Sequence, residues 1–263
     1  MIATSPDGTR IAWSEQGDGH PLLLIHGLGY AGSWGWGPVL APLARRFRVL
    51  TFDNRGIGGS DRPPGPYSAA LMADDALAVL QAAEVDGAHV VGTSLGGMVA
   101  QELALRHSWA VDNLVLACTT PGGTNAYPMP EQTVRLITQP LDLPPLERFK
   151  VFVRNALSEP YDETMVEQLA QTRIEEAQPL DAWQAQAAAG IAHDALNRLA
   201  GIRAPTLVVT GTADEVVDPR NSELLADLIP NARLERVEGA GHLFFWQEPE
   251  RFVSLLGEFL WSR

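Results

Sequence analysis

Residues 90–100 read VVGTSLGGMVA, which is an apolar run, a turn rich in glycine, and the start of a helix. The turn contains the pattern G-x-S-x-G, with Ser94 between Gly92 and Gly96. Glycines lack the Cβ atoms that would clash where a strand and a helix meet at a strained serine. In this context the pattern is typical of a nucleophile elbow, which presents the serine oxygen in a cleft at the positive end of a helix. The alternative interpretation is a glycine-rich turn of another α/β protein.

Apolar runs alternate with helical patterns on both sides of this turn. Residues 68–83 have helical periodicity, and residues 1–15 resemble a hairpin around Asp7 and Gly8. Short, continuous apolar runs at 22–26 and 47–52 indicate strands covered on both faces, and further strands are predicted at 89–92, 114–118, 205–210 and 233–237. We therefore predict an α/β fold, with a mostly parallel twisted sheet of about eight strands flanked by helices.

The alternation stops between residues 122 and 202, where prolines separate stretches with helical patterns. We predict helices there at about 131–138, 146–157, 162–176 and 180–199. The chain then divides into a core domain, residues 1–121 and 203–263, and a helical cap, residues 122–202, inserted before the strand that precedes Asp214. Such an insertion is expected to lie over the carboxyl edge of the sheet as a lid, or else to pack on a flank as extra helices.

The composition argues against several classes of function. The formal net charge of −13 repels phosphate backbones and anionic lipids, so we expect neither nucleic acid nor a membrane as a partner. There is no apolar run long enough to span a bilayer and no secretory signal in residues 1–8, so the expected location is the cytoplasm. A single cysteine, Cys118, excludes an internal disulfide and a cysteine metal cluster.

A serine needs a base within hydrogen-bond reach and an acid that orients this base. Asp214 follows one predicted strand, and His242 follows the next in a loop that contains Gly239 and Gly241. Parallel strands bring these ends to the edge where Ser94 lies, and the order serine, acid, histidine is the one expected for such a fold. We therefore predict a Ser94, Asp214 and His242 triad, with Asp218 as the rival acid.

The loop His26-Gly27-Leu28-Gly29 follows another strand, and its glycines allow backbone N–H groups to face the cleft. The amides of Leu28 and Leu95 are the predicted donors to an oxyanion, the negative charge that forms when an acyl carbon becomes tetrahedral. His26 is expected to brace this loop, and a structural role is likewise expected for Asp53, Arg55 and Gly56.

The same loop contains a formal G-x-G-x-x-G at residues 27–32, and Asp53 ends the next strand, as in a dinucleotide-binding fold. In that fold a helix begins at once and holds the pyrophosphate, whereas further glycines and Pro38 delay a helix here. A hydride-transfer function would also leave the triad without a purpose. We therefore expect no cofactor and no catalytic metal. The histidines that have no mutual metal-ligand spacing in the sequence receive no function: His20, His89, His107 and His193.

These motifs together resemble the α/β-hydrolase superfamily, in particular small serine esterases and 3-oxoadipate enol-lactonase-like enzymes with a helical lid. The resemblance rests on residues 26–29, 53–58 and 92–97, on Asp214, and on Gly241-His242. It implies a serine hydrolase that cleaves a carboxylic ester, or a lactone, of a small to medium and fairly apolar substrate through an acyl-enzyme. Haloalkane dehalogenases and epoxide hydrolases of this superfamily carry an aspartate at the elbow, so Ser94 argues against both.

Three alternatives on the same scaffold stay open: a carbon-carbon bond hydrolase, a cofactor-free perhydrolase, and a non-catalytic ligand-binding protein. The candidate substrate contacts are aromatic and apolar side chains of the cap and of the loops near the cleft. They are Trp34, Met98, Phe149, Phe152 and Trp183, with Trp36 as a neighbour.

Overall fold

One sheet runs through the computed structural model, which describes residues 1–138, 142–176 and 178–261. Its strands, among the described residues, are β1 (Ile2–Thr4), β2 (Arg10–Gln16), β3 (His20–Ile25), β4 (Phe47–Phe52), β5 (Ala88–Thr93), β6 (Val111–Ala117), β7 (Thr206–Gly211) and β8 (Ala232–Val237). They are ordered β1-β2-β4-β3-β5-β6-β7-β8. The pairs β1–β2 and β2–β4 are antiparallel, and all the others are parallel. The predicted α/β fold with a mostly parallel sheet of about eight strands is confirmed.

Helices cover both faces of the sheet. They are α1 (Gly32–Gly35), α2 (Gly37–Ala44), α3 (Ala69–Ala82), α4 (Leu95–Arg106), α5 (Glu131–Thr138), α6 (Pro145–Ala156), α7 (Glu163–Glu175), α8 (Leu180–Ile191), α9 (Arg220–Leu228), α10 (Phe244–Gln247) and α11 (Pro249–Leu260). Val90 packs into one core with Leu103 of α4, whereas the next residue, Val91, packs into the other core with Leu256 of α11. Successive strand residues point to opposite faces, so a strand buried on both faces must be apolar at every position.

Helices α5 to α8 form the insertion between β6 and β7, and the last of them is shorter than the sequence predicts. The pattern at 180–199 suggests one helix, but α8 ends at Ile191 and a separate 3-10 turn follows at Leu196–Gly201. Between them the chain pairs with the segment that leaves β6, through an antiparallel bridge of Gly122 with Asp194 and a bond from Ala195 N to Pro121 O of 2.9 Å. The backbone of Asp194 and Ala195 is thus bonded to the segment that leaves β6, in place of the bonds that would continue α8.

The carboxyl ends of the parallel strands place the residues predicted to be catalytic at one edge of the sheet. Ser94 follows β5, Asp214 lies three residues after β7, and His242 lies five residues after β8. No helix of the described residues combines the length and the apolar character that crossing a bilayer requires.

Candidate active site

Ser94 is the residue of the sharp turn between β5 and α4. Its backbone has φ 53° and ψ −122°, in the left-handed range of φ that side chains rarely adopt. A Cβ on Gly92 would overlap the carbonyl oxygen of Gly96, so that position requires glycine. The turn is held by a bond from Ser94 N to Ala117 O of 3.0 Å and one from Thr119 Oγ1 to Ser94 O of 2.7 Å. The surrounding structure thus maintains a strained serine, as a nucleophile elbow requires.

His242 is joined to Asp214 by a short hydrogen bond. Its Nδ1 donates to Asp214 Oδ2 at 2.8 Å, and both side chains are buried. The other carboxylate oxygen, Oδ1, accepts from the backbone N–H groups of Val216 at 2.7 Å and Val217 at 2.9 Å. Three donors therefore fix the carboxylate, which in turn fixes the imidazole ring with its proton on Nδ1 and leaves Nε2 as the basic nitrogen.

Asp218, the rival acid, has a different partner. It forms an ion pair with Arg220 and also accepts from the backbone N–H of Arg220 at 3.0 Å. The hydrogen bonds from Arg220 hold the pKa of Asp218 below its usual value. The structure therefore places Asp214, and not Asp218, behind the histidine.

Ser94 and His242 lie on the wall of one cavity of about 540 Å³. Among the described residues no hydrogen bond joins the Ser94 hydroxyl to the ring of His242. In ligand-free sites such bonds are often long and close only when substrate binds. The arrangement supplies a serine oxygen and an oriented base facing the same enclosed space.

The loop after β3 lies directly against Ser94. A Cβ on Gly27 would be 2.9 Å from Ser94 Cβ, so glycine allows this close approach. Leu28 in this loop and Leu95 at the start of α4 both line the cavity beside Ser94. Two backbone segments thus flank the serine at the positions where the sequence predicts the oxyanion donors.

His26 braces the loop, as expected from the sequence. Its Nε2 donates to Gly35 O at 3.0 Å, and its carbonyl oxygen accepts from Asn54 Nδ2 at 3.1 Å. Trp246 Nε1 donates to the same Gly35 oxygen at 3.0 Å. Burial lowers the pKa of His26 to about 3, so the ring is neutral at ordinary pH and suits a structural role.

Arg55 and Asp53 also hold the loops together. The guanidinium of Arg55 donates twice to Asp75, each bond 2.6 Å long, and once to Asp7 at 2.9 Å. Asp53 accepts from the backbone N–H of Gly32 at 2.7 Å, which ties two neighbouring loops together. These contacts match the structural role that the sequence suggests for this segment.

Most of the predicted substrate contacts line the cavity, and two tryptophans do not. Met98, Phe149, Phe152 and Trp183 are on its wall. The ring of Trp34 is instead stacked on Tyr30, with centroids 5.7 Å apart, and also contacts Trp246. Its neighbour Trp36 is fully buried against His26 and Phe245. Trp34 follows the glycine-rich loop in sequence, but ring stacking turns it away from the cavity.

The wall also has polar and aromatic residues that the sequence reasoning missed, among them Tyr30, Asn155, Arg173 and Gln186. Arg173 of α7 lies 4.8 Å from the ring centroid of Tyr30 and 5.3 Å from that of Phe149. A Cβ on Gly29 would collide with the guanidinium, which therefore lies over the loop beside Leu28. Within the described part of the chain, no carboxylate pairs with Arg173.

Two groups of possible metal ligands occur among the described residues: Cys118 with Asp214 and His242, and His20 with His89 and Asp112. The first group is a poor metal site, because both oxygens of Asp214 already accept hydrogen bonds. Burial also raises the pKa of the Cys118 thiol well above its usual value, which disfavours the thiolate that binds metals.

Known proteins with this architecture are similar to the chain over nearly its whole length. The esterase RhEst1 from Rhodococcus sp. ECU1013 is 30% identical, with a TM-score of 0.86 and coverage of 100% of this chain and 98% of that one. The enol-lactonase from Burkholderia xenovorans LB400 is 25% identical, with a TM-score of 0.85 and full coverage of both chains. The 2-hydroxymuconate semialdehyde hydrolase of Pseudomonas sp. strain CF600 is 32% identical over 96% of this chain and 91% of its own length.

The family model described as the alpha/beta hydrolase fold matches residues 20–249, a span that contains the elbow, the loop after β3 and the Asp214–His242 pair. The chain belongs to the α/β-hydrolase family.

Proposed function

We propose that this protein is a carboxylic ester hydrolase that works through an acyl-enzyme on Ser94. The observation that carries the proposal is the 2.8 Å bond from His242 Nδ1 to Asp214, on the wall of the cavity that also contains the strained Ser94. This combination supplies an oriented general base near a nucleophilic serine. A protein that only binds a ligand needs neither the oriented base nor the strained serine. Esterase and lactonase relatives give further support.

In the proposed reaction the Ser94 oxygen attacks the acyl carbon while its proton passes to His242 Nε2. The negative charge on the carbonyl oxygen is stabilised by the amides of Leu28 and Leu95. The tetrahedral species then collapses: the carbon–oxygen bond of the ester breaks, and the alcohol leaves with the proton from His242. Asp214 remains ionised throughout and stabilises the charged imidazolium.

Water completes the cycle by the same route. His242 takes a proton from the water, whose oxygen forms a new bond to the acyl carbon. The bond between this carbon and Ser94 then breaks, and the serine oxygen recovers a proton from His242. The acid is released, and the protein returns to its initial state.

The proposed substrate is a small to medium ester or lactone whose acyl part is mainly apolar. The cavity is lined mostly by apolar atoms, among them those of Met98, Phe149, Phe152 and Trp183. The wall also carries one positive charge, the guanidinium of Arg173, which contacts the rings of Tyr30 and Phe149 and has no carboxylate partner among the described residues. A substrate that carries an anionic group next to an apolar chain would satisfy both features.

We further propose that residues 122–202 act as a lid over a core of residues 1–121 and 203–263. Phe149, Arg173 and Trp183, all from the insertion, share the cavity wall with Ser94 and His242 from the core. Movement of the helices α6 to α8 would therefore open or close the space in front of the serine.

Carbon-carbon bond hydrolysis is the second candidate, since the 2-hydroxymuconate semialdehyde hydrolase is a relative at 32% identity. Both reactions use an activated serine or water at a carbonyl carbon, so product analysis must separate them. Carboxylic acid and alcohol in equal amounts support ester cleavage, whereas products of chain cleavage from a diketone, with no turnover of esters, support the second reaction.

The first test compares the wild type with Ser94→Ala on a panel of aryl and alkyl esters. We expect the variant to lose at least roughly a thousand-fold in kcat/KM, because a triad cannot work without its nucleophile. Ser254→Ala, at an exposed serine of α11, is the matched control and should retain full activity. A fluorophosphonate should add its mass to the wild type and not to Ser94→Ala. Retention of most activity by Ser94→Ala would reject the proposed nucleophile.

A further inference from the structure

Three metal-ligating side chains from three strands meet at the amino-terminal edge of the sheet. His20 is the first residue of β3, His89 lies in β5, and Asp112 lies in β6. One donor atom from each lies within 4.8 Å of the others. His20 Nε2 is 2.9 Å from Asp112 Oδ2, and the rings of His20 and His89 have centroids 4.4 Å apart.

The two histidines share a face of the sheet because of strand register. His89 of β5 is paired with Leu22 of β3. His20 precedes Leu22 by two residues, and residues two apart on a strand lie on the same face. The parallel alignment of β3 and β5 therefore puts both imidazoles side by side, although 69 positions separate them in the sequence.

A β-bulge supplies the carboxylate. Ala88 pairs with Val111, but the next residue, His89, pairs with Asn113, so Asp112 is an extra residue with no partner on β5. Such a bulge re-aims a side chain that regular pairing would send to the opposite face. A Cβ on Gly87 would come within 2.9 Å of Asp112 Oδ1, so glycine leaves room for the carboxylate.

The surroundings of His89 also suit a metal ligand. Its Nδ1 lies 3.0 Å from the side-chain amide of Asn113, which fixes the ring. If the side-chain amide of Asn113 is turned by 180°, its oxygen accepts a hydrogen bond from Nδ1–H of His89, and Nε2 of His89 is free to bind an ion. Metal-bound histidines commonly make such a hydrogen bond through their other ring nitrogen. The side chains of His20 and Asp112 are 48% and 41% exposed, so both have the freedom to close on an ion at roughly 2.0–2.2 Å.

We propose that His20, His89 and Asp112 form a binding site for one divalent transition-metal ion, with Zn²⁺ as the best match. Two imidazole nitrogens and one carboxylate oxygen are ligands that zinc accepts, with water completing the tetrahedron. The site is at the edge of the sheet opposite to Ser94, so the ion ties β3, β5 and β6 together and takes no part in ester cleavage. Its binding should stabilise the folded chain, because the three ligands are not held together when the chain is unfolded.

The test titrates ZnCl₂ into metal-stripped wild type and variants by calorimetry, with the metal content after dialysis as a second readout. We expect one ion per chain in the wild type, and a loss of at least ten-fold in affinity in both His20→Ala and Asp112→Asn. His107→Ala is the matched control, since His107 contacts Asp74 elsewhere and should keep the wild-type affinity. Zinc at a hundred times its Kd should raise the Tm of the wild type by about 5–10 °C, and that of the two variants much less.

A His242→Gln variant distinguishes this site from the group around Asp214. Unchanged zinc affinity in His242→Gln, together with unchanged ester turnover in His20→Ala, supports the assignment. Zinc affinity that is unchanged in His20→Ala and Asp112→Asn, or that is lost only in His242→Gln, would overturn it. Each variant is first shown to be folded by its circular dichroism spectrum. Because zinc binding and ester turnover are measured separately, a failure of the proposed hydrolase activity would not count for or against the zinc site.

Discussion

Removal of the guanidinium at Arg173 should change which substrates the protein prefers. Arg173→Met keeps an unbranched apolar stem but removes the charged guanidinium that lies against the rings of Tyr30 and Phe149. The guanidinium lies over the backbone of Gly29, in the loop that flanks Ser94, and has no carboxylate partner among the described residues. We expect it to bind a substrate carboxylate held near the serine.

The magnitude follows from the position of the charge at the wall of a mostly apolar cavity. At about 4 Å and an effective dielectric constant of about 20, two unit charges attract by about 4 kcal/mol. Loss of hydration of the carboxylate offsets part of this energy, and measured hydrogen bonds to charged groups are worth about 1.5–3 kcal/mol. That range corresponds to a factor of about 10–150 in kcat/KM.

The assay uses two esters that differ only in charge: the mono-p-nitrophenyl ester of glutaric acid and p-nitrophenyl pentanoate. In Arg173→Met, kcat/KM for the anionic ester should fall by that factor, while kcat/KM for the neutral ester should stay within about three-fold of the wild type. Arg148→Met, at an exposed cation of α6, is the matched control and should change neither value.

A purely structural role for Arg173 predicts a different result. If the guanidinium only holds α7 against Phe149 of α6 and Tyr30 of the core, its loss should reduce kcat/KM for both esters by the same factor. An unchanged ratio of the two kcat/KM values would therefore refute the assignment of Arg173 to an anionic substrate group, whatever the size of the common decrease.

Three further predictions concern the acid, the buried ion pair and a buried histidine. Asp214→Asn should lower kcat roughly ten-thousand-fold, because a neutral amide neither stabilises the imidazolium nor keeps the proton of His242 on Nδ1. Asp218→Asn should lower kcat less than ten-fold, and steady-state kinetics with similar losses in both variants would contradict the assignment of the acid. Asp75→Asn should reduce the free energy of unfolding in urea by about 3 kcal/mol, because Arg55 would keep a buried charge without its main partner; a loss below 1 kcal/mol would count against this. Burial lowers the pKa of His193 to about 4, while the unfolded chain protonates it near its ordinary 6.5, so stability should be full above pH 6.5 and should fall as the pH drops toward 4. From pH 7.5 to pH 5 the wild type should lose about 2 kcal/mol more than His193→Gln in urea unfolding, and equal losses would contradict the expected contribution of the histidine.

Site residues can be predicted from the sequence where their positions depend only on the order and direction of the strands. Ser94, Asp214 and His242 follow strands, and parallel strands bring all such loops to one edge regardless of how the helices dock. Apolar runs likewise revealed the buried strands because they leave no polar face.

Features that depend on contacts between distant segments could not be predicted in this way. Helical periodicity places Arg173 on a helix but does not say what that helix face meets. The sequence predicts Trp34 near the cavity, yet stacking on Tyr30 and contact with Trp246 decide where its ring lies. The cluster around His20 depends on one extra residue in β6, which no pattern of apolar residues reveals.

The pairing of Gly122 with Asp194, outside the strands of the sheet, brings the two ends of the insertion close together. Exchange, growth or loss of the helices between these ends during evolution would leave the register of the strands unchanged. Descendants of a common ancestor could in this way diverge in what they admit to the cavity while they inherit the same nucleophile, acid and base beneath it.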